Sequence, residues 1–462
     1  MTEERGATPS QSMPDHETRA RTNTPDQVPA PAAKPRERRA PRISQTPPPP
    51  APPPALQDYA PIIGKSQLDE LYFLASAVRG KTVKMVNSTA VGGGVAEMLN
   101  RLVPLLSELE VHTKWDVITG GNDFFEVTKS FHNALHGADY TLTQAAQDVF
   151  LRHNELNRER MSFDEDVVVI HDPQPAALIA SKKDHLARWV WRCHIDLSNP
   201  NPQVWGFLRP FIEQYDATIF SSQAFARRLP IPQYLFYPCI DPLSEKNKDL
   251  EDSYVQQVCD NFGVDRSRPI VTQISRFDRL KDPVGVIQAY KMAKKYVDFQ
   301  LVLAGGGASD DPEGVAVLKE VRDMIDDDPD VIILDLPPWS ALEINALQRA
   351  STLIVQKSLR EGFGLTVTEG LWKGKPTIGS AVGGIPTQII DRITGVLVHS
   401  VEGCAYQIRY LLTHPEFAQQ LGRSGREHVK ENFLMTTNVR RWLLLLRILF
   451  GLTGSSSLPL GS

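Results

Sequence analysis

From residue 81 onward the sequence is written in short apolar runs, each closed by turn residues and followed by a stretch with helical spacing. Runs at residues 81–87, 113–118, 167–170, 189–193 and 217–220 form one series, and runs at 270–274, 300–304, 331–334, 352–355 and 376–378 form a second. After the first run, Met98, Leu99, Leu102, Leu105 and Leu106 fall on one helical face, and helical patterns recur at 283–295 and 313–325. An apolar run without alternation is a strand buried on both faces, and such strands alternating with helices are buried only in a parallel sheet covered on both sides. The pattern therefore predicts an α/β chain of two doubly wound units in tandem, with a ligand cleft between them beyond the carboxyl ends of the strands. The turn-rich segment Tyr237-Pro238-Cys239-Ile240-Asp241-Pro242 separates the two series. It divides an N-terminal unit, 56–240, from a C-terminal unit, 241–430.

A chain of 462 residues exceeds what one core usually organises. Its 41% hydrophobic and 23% charged residues are ordinary for a globular protein. The formal net charge of -5 sets up no field that would favour nucleic acid, and none is expected as a partner. Residues 1–55 end in Pro47-Pro48-Pro49-Pro50-Ala51-Pro52-Pro53-Pro54 and have little to bury, which predicts a disordered or polyproline II tail. That tail reads first as a passive extension, with a ligand for a proline-recognising protein partner as the sharper alternative. Residues 431–462 read as a terminal helix, packing back on the N-terminal unit, and a short tail. Its apolar stretch at 442–452 is broken by Arg447 and is shorter than the roughly 20 residues of a bilayer span, so no transmembrane segment is expected; docking or an interfacial position remain. Met1 leads into polar residues without a secretory signal, which predicts a cytoplasmic location with reduced thiols. Cys193, Cys239, Cys259 and Cys404 are far apart and not spaced as metal ligands, so all four read as small buried apolar groups.

Three motifs can carry chemistry. Gly92-Gly93-Gly94 lies between a strand and a helix, where backbone amides and the helix dipole suit a phosphate; a tight turn without a ligand fits the same residues. Arg276 and Lys281 stand five apart in the loop after the run at 270–274. There they could converge on a diphosphate, the first as a fork and the second as a point charge, or remain solvated surface cations. Glu361 and Glu369, with seven residues between them, bracket Gly362-Phe363-Gly364-Leu365-Thr366. One carboxylate can face a sugar while the other accepts from vicinal hydroxyls, and the amides of Gly364, Leu365 and Thr366 can point at the same pocket; a helix-capping Glu361 with an exposed Glu369 is the alternative.

This set resembles the retaining two-Rossmann-domain (GT-B) glycosyltransferases of the sucrose-synthase and glycogen-synthase-like group, from about residue 80 to 430. The segments Val86-Asn87-Ser88-Thr89, Phe124-Phe125-Glu126-Val127-Thr128-Lys129, His171-Asp172-Pro173-Gln174-Pro175, Trp191-Arg192-Cys193-His194-Ile195-Asp196 and the run from Ile240 to Asn247 narrow it. They resemble the trehalose glycosyl-transferring synthases, with the retaining trehalose phosphorylases as cousins. The resemblance implies transfer of glucose from a nucleoside diphosphate glucose to glucose, giving trehalose, or phosphorolysis through glucose 1-phosphate. A catalytically silent sugar- or nucleotide-binding protein is the reading from another class.

By the same resemblance Glu369 would hold the ribose, Glu361 the donor sugar, and Arg276 with Lys281 the phosphates. Gly93, Gly94, Gly364, Leu365 and Thr366 would line the donor site, and His194 would meet the hexose near its anomeric centre. Asp172, Gln174 and Asp196 would take the acceptor hydroxyls, and Gly383-Gly384-Ile385-Pro386 would be a structural turn near the base. Catalysis would rest on Glu361, His194, Arg276 and Lys281, by front-face attack without a protein nucleophile, and without a metal or other cofactor. The acidic runs Asp310-Asp311 and Asp326-Asp327-Asp328 read as surface loops. The partners implied are sugars and nucleotide sugars, with a homodimer as one assembly.

Overall fold

The computed structural model describes residues 52–90, 93–306, 312–325 and 327–452. Residues 1–51 of the proline-rich segment, Gly92, Asp310, Asp311 and Asp326 lie outside the described residues.

Two six-stranded sheets form the frame, and every strand pairing in them is parallel. The first contains β1 (Thr82–Asn87), β2 (His112–Val117), β3 (Val167–His171), β4 (Arg188–Arg192), β5 (Ala217–Phe220) and β6 (Gln233–Leu235), in the order β2-β1-β3-β4-β5-β6. The second contains β7 (Ile270–Ile274), β8 (Gln300–Gly305), β9 (Val331–Asp335), β10 (Leu353–Gln356), β11 (Thr377–Ser380) and β12 (Val396–Val398), in the order β12-β11-β10-β7-β8-β9. The α/β, doubly wound architecture is the one the alternation predicts. β3, Val-Val-Val-Ile-His, and β7 are buried at every position, as central strands covered on both faces must be. The strands β6 and β12, three residues each, have no counterpart among the sequence-predicted runs. Both are edge strands: β6 presents Gln233 and Leu235 to solvent, and β12, Val-Leu-Val, is apolar but only three residues long.

Strand order reverses between β1 and β3 in the first sheet and between β7 and β10 in the second. The loops leaving a sheet on either side of such a reversal diverge and open a crevice at the carboxyl ends. Each lobe therefore offers one such crevice.

The chain passes from the first lobe to the second at Ile240 and returns beside it. The Ile240 amide donates to the Phe433 carbonyl and the Met435 amide donates to the Ile240 carbonyl, both at 2.9 Å. Asp241 ties this crossing to the first lobe, accepting from Tyr59 Oη at 3.0 Å and pairing with Arg101 at 3.0 Å. Asn345 Nδ2 ties it to the second lobe by donating to the Glu245 carbonyl at 2.8 Å, as Lys373 Nζ does to Asn247 Oδ1 at 3.1 Å.

The returning chain forms the helix Met435–Leu449, whose Val439, Trp442, Leu443 and Leu446 stripe has the three- and four-residue spacing of a buried face. That stripe joins the same apolar cluster as Leu68 and Leu71 of the helix Lys65–Ser76 and Leu99 and Leu102 of the helix Gly93–Glu108. Trp442 meets Phe236 edge-on, with ring centroids 5.3 Å apart. The last helix thus packs on the first lobe after the chain has completed the second. All four cysteines are buried and unpaired. Among the described residues no helix is long and apolar enough to cross a membrane.

Candidate functional site

In the first lobe β1 ends at Asn87, and the helix Gly93–Glu108 starts a few residues later. The carboxyl ends of β3 and β4 lie side by side, with His171 opposite Arg192. Asp172, the next residue, is left-handed with φ 65°, a conformation a short polar side chain tolerates better than most. The turn sends its carboxylate across to the neighbouring strand, where Oδ1 accepts from the His194 amide at 2.7 Å. Its carbonyl accepts from Trp191 Nε1 at 3.0 Å. His194 Nε2 lies 3.0 Å from His171 Nδ1. Gln174 gives its carbonyl to Asn154 Nδ2 at 3.0 Å, while its Oε1 is buried without a protein partner. Asp196 Oδ1 accepts from the Ser198 amide at 2.8 Å and so closes a turn within its own loop.

In the second lobe the loop after β7 carries the two cations. Arg276 is 67% exposed and pairs with Asp278 at 3.1 Å. Lys281 turns inward, with Nζ 2.7 Å and 2.8 Å from the two oxygens of Glu361. This pair spans the reversal point, for Lys281 follows β7 and Glu361 follows β10. The Glu361 side chain is only 7% exposed and also accepts from Ser358 Oγ at 3.0 Å and Gln356 Nε2 at 3.5 Å. Gly364, at φ 81°, caps the helix Leu365–Trp372; a β-carbon there would stand 3.0 Å from Glu361 Cγ, so the close approach needs glycine. The first amides of a helix have no partner within it, and here they belong to Leu365 and Thr366. Thr366 also donates from Oγ1 to Gln356 Oε1 at 3.2 Å.

Glu369 sits one to two turns further along the same helix, 5% exposed, and accepts from Gln348 Nε2 at 3.3 Å. It lines a cavity of about 550 Å³ between the lobes, with Gly94, Glu97 and Arg101 of the first lobe, Asp241 of the crossing, and Leu365. A β-carbon at Gly94 would come within 4.0 Å of Leu365 Cδ1. The glycine loop and the helix after the second reversal point therefore face each other directly.

The structure thus brings Lys281 to Glu361, Gly94 to Leu365, and Asp172 to His194. Among the described residues Arg276 pairs with neither glutamate; its long exposed side chain settles on Asp278. Four residues given no site role by the sequence take part. Gln356 and Ser358 hold Glu361, and His171 meets His194. Lys246 pairs with Glu97 at 3.0 Å; burial works against its charge, but the carboxylates of Glu369 and Glu97 outweigh it and raise its pKa. The sequence signal for Gln356 and Ser358 is position just after a predicted strand, while His171 and Lys246 lie inside segments that carry the family resemblance.

Burial pushes the Asp172 carboxyl up from 3.8 to about 7, against the His194 amide and the nearby charge of Arg192. Between 3.8 and about 7 the folded chain therefore holds a proton that the unfolded chain has lost. The contribution of this group to stability is full at acid pH and is lost as pH rises through the folded value. Thermal denaturation of Asp172→Asn is expected to show a weaker fall in Tm with rising pH across this window than the parent chain; an unchanged slope would exclude the assignment.

Residues 85–227 match the family described as Trehalose synthase, N-terminal domain, and residues 260–428 match Glycosyl transferases group 1. A trehalose synthase of Thermococcus litoralis is 45% identical over 397 residues, which cover 85% of this chain and 96% of that protein. The chain belongs to the trehalose synthase family. It is a hexosyltransferase of that family, as the two matched regions and the full-length relatives require. A trehalose phosphorylase of Pleurotus pulmonarius is 29% identical, over 84% of this chain and 60% of that protein. Among solved structures, a glycosyltransferase from Rickettsia africae shares the fold at a TM-score of 0.65 and 19% identity, covering 80% of this chain and 98% of that one. Within the family match, Gly94, Asp172 and His194 fall in the first region, and Arg276, Lys281, Glu361 and Glu369 fall in the second.

Proposed function

We propose that the chain transfers glucose from a nucleoside diphosphate glucose to glucose, with retention, giving α,α-trehalose. The observation that carries the transferase reading is the Lys281 ammonium seated on the Glu361 carboxylate at the strand-order reversal of the second lobe, beside a helix start that faces the glycine loop of the first. The substrates are read from the family, whose members at 45% identity are named trehalose synthases.

In this reading the diphosphate of the donor draws Lys281 away from Glu361, and Arg276 leaves Asp278 to join it. Glu361 is then free to accept from a donor-sugar hydroxyl. The amides of Leu365 and Thr366 face the phosphates and Glu369 holds the ribose hydroxyls. The bond between the anomeric carbon and the phosphate oxygen breaks, and its electron pair leaves with the nucleoside diphosphate. An acceptor hydroxyl bonds to the anomeric carbon on the same face and passes its proton to the departing phosphate oxygen. Because two cations and helix-start amides meet the growing negative charge, this route invokes neither a metal nor a cofactor. His194 meets the transferred sugar, and Asp172, Gln174 and Asp196 stand on the acceptor side.

The test is a donor panel with glucose as acceptor, with the linkage of the product read by NMR. Trehalose from at least one nucleoside diphosphate glucose, and none from glucose 1-phosphate, is expected. Trehalose made only from glucose 1-phosphate, with release of inorganic phosphate, would replace this reading by a phosphorylase, the activity named for the 29% identical relative. No product with any donor would overturn this reading of the substrates.

A further inference from the structure

His171 ends β3 and is fully buried. Its Nδ1 is 3.0 Å from His194 Nε2, the ring planes differ by 11°, and the centroids are 5.3 Å apart. At that separation the two nitrogens lie close to the line joining the ring centres, so the hydrogen bond runs in the plane of both imidazoles. Only one proton can occupy it, and a neutral imidazole carries one N–H.

Two arrangements are possible, and the surroundings separate them. If His194 donated from Nε2, His171 would carry its own proton on Nε2, an atom that is buried with no protein partner. An orphaned buried N–H is the rarer and costlier defect. If His171 donates from Nδ1, its Nε2 is a bare lone pair. Arg192 follows on the adjacent strand, buried, with Nη1 also lacking a protein partner, and a guanidinium tolerates a nearby lone pair where it would repel an N–H. Burial together with the Arg192 charge holds His171 down at about 3, and burial, Arg192 and His171 push His194 well below its ordinary value, so both rings are neutral. His194 then keeps its proton on Nδ1, which has no partner among the described residues.

We infer that His171 is a positioning residue that fixes His194 as its Nδ1–H tautomer, so that His194 offers the bound sugar a neutral hydrogen-bond donor. Contact with the sugar rests on the proposed function; the tautomer does not. Asp172 supports the same geometry by holding the His194 backbone amide.

The test labels the histidines of the full chain with ¹⁵N and reads long-range proton–nitrogen correlations, with His194 assigned by its loss in His194→Asn. A protonated Nδ1 and unprotonated Nε2 at His194 are expected. Nε2 protonated in the parent chain overturns the proposal even if the enzyme is active. In His171→Leu both tautomers should appear, with kcat lowered about tenfold, roughly the size of one hydrogen bond. His171→Asn, which keeps a donor at the δ position, should recover most of that loss. Equal kcat in folded Leu and Asn variants would likewise overturn it. If the Leu variant does not fold, the parent spectrum and the Asn variant still decide. A correct tautomer in a chain that makes no trehalose would sink the proposed reaction and leave the tautomer assignment standing.

Discussion

Lys281→Met is expected to lower kcat by about two to three orders of magnitude, the size found when one group stabilising a developing anion is removed. The same change carries a structural penalty that has to be separated from the chemical one. Glu361 would keep only Ser358 and Gln356 as partners in a site where its side chain is 7% exposed. Breaking a buried ion pair from one side typically costs about 3–5 kcal/mol, and the 21% exposure of Lys281 places this case toward the lower end. The double variant Lys281→Met with Glu361→Gln removes the uncompensated charge, so its Tm should return toward that of the parent while kcat stays low. Steady-state kinetics beside thermal denaturation would decide it. Recovery of turnover together with stability would make Lys281 a scaffold group and remove it from the phosphate site.

Gly383→Ala should be the most damaging single methyl in the second lobe. Gly383 has φ 54°, and a β-carbon on it would stand 1.6 Å from the Glu361 carbonyl oxygen. No side-chain rotation relieves a clash between backbone atoms, so either the turn or the Glu361 loop must move. A stability loss of about 2–4 kcal/mol is expected from strain of this kind, with a fall in turnover because Glu361 moves with its carbonyl. Gly362→Ala is the matched control in the same loop: a β-carbon there meets nothing within 4 Å. It should stay within about 0.5 kcal/mol of the parent. If the two variants behaved alike in calorimetry, the packing of the 383 turn on Glu361 would be wrong.

Legibility in the sequence followed the physics of each feature. β3 and β7 are buried at every position, and such strands declare themselves as apolar runs. β6 does not, because its exposed edge positions are Gln233 and Leu235, and β12, though apolar, is too short at three residues to stand out. Lys281 and Glu361 lie 80 residues apart, yet their meeting was readable because each loop follows a strand beside the reversal point. Arg276 belongs to the same pattern, but its exposed side chain pairs with the carboxylate nearest in sequence, Asp278, as surface cations commonly do. The pairing of His171 with His194 depends on strand register and on the left-handed turn at Asp172, which a pattern of apolar residues does not encode. The role of Lys246 is not legible for a related reason: it lies in the crossing between lobes, and the carboxylates that face it, Glu97 and Glu369, come from opposite sides of the cleft.

The doubled passage of the chain at Ile240 and Leu434 restricts how the enzyme can open. Two segments hydrogen-bonded side by side act as one hinge, so the lobes can swing about that point but cannot slide apart. Travel is smallest at the hinge and grows with distance from it. In the proposed reaction Lys281, Glu361 and His194 would close on a substrate by rotation about that hinge, and the Ser222 to Thr387 hydroxyl contact, 3.4 Å across the gap, is one that such a swing would have to break.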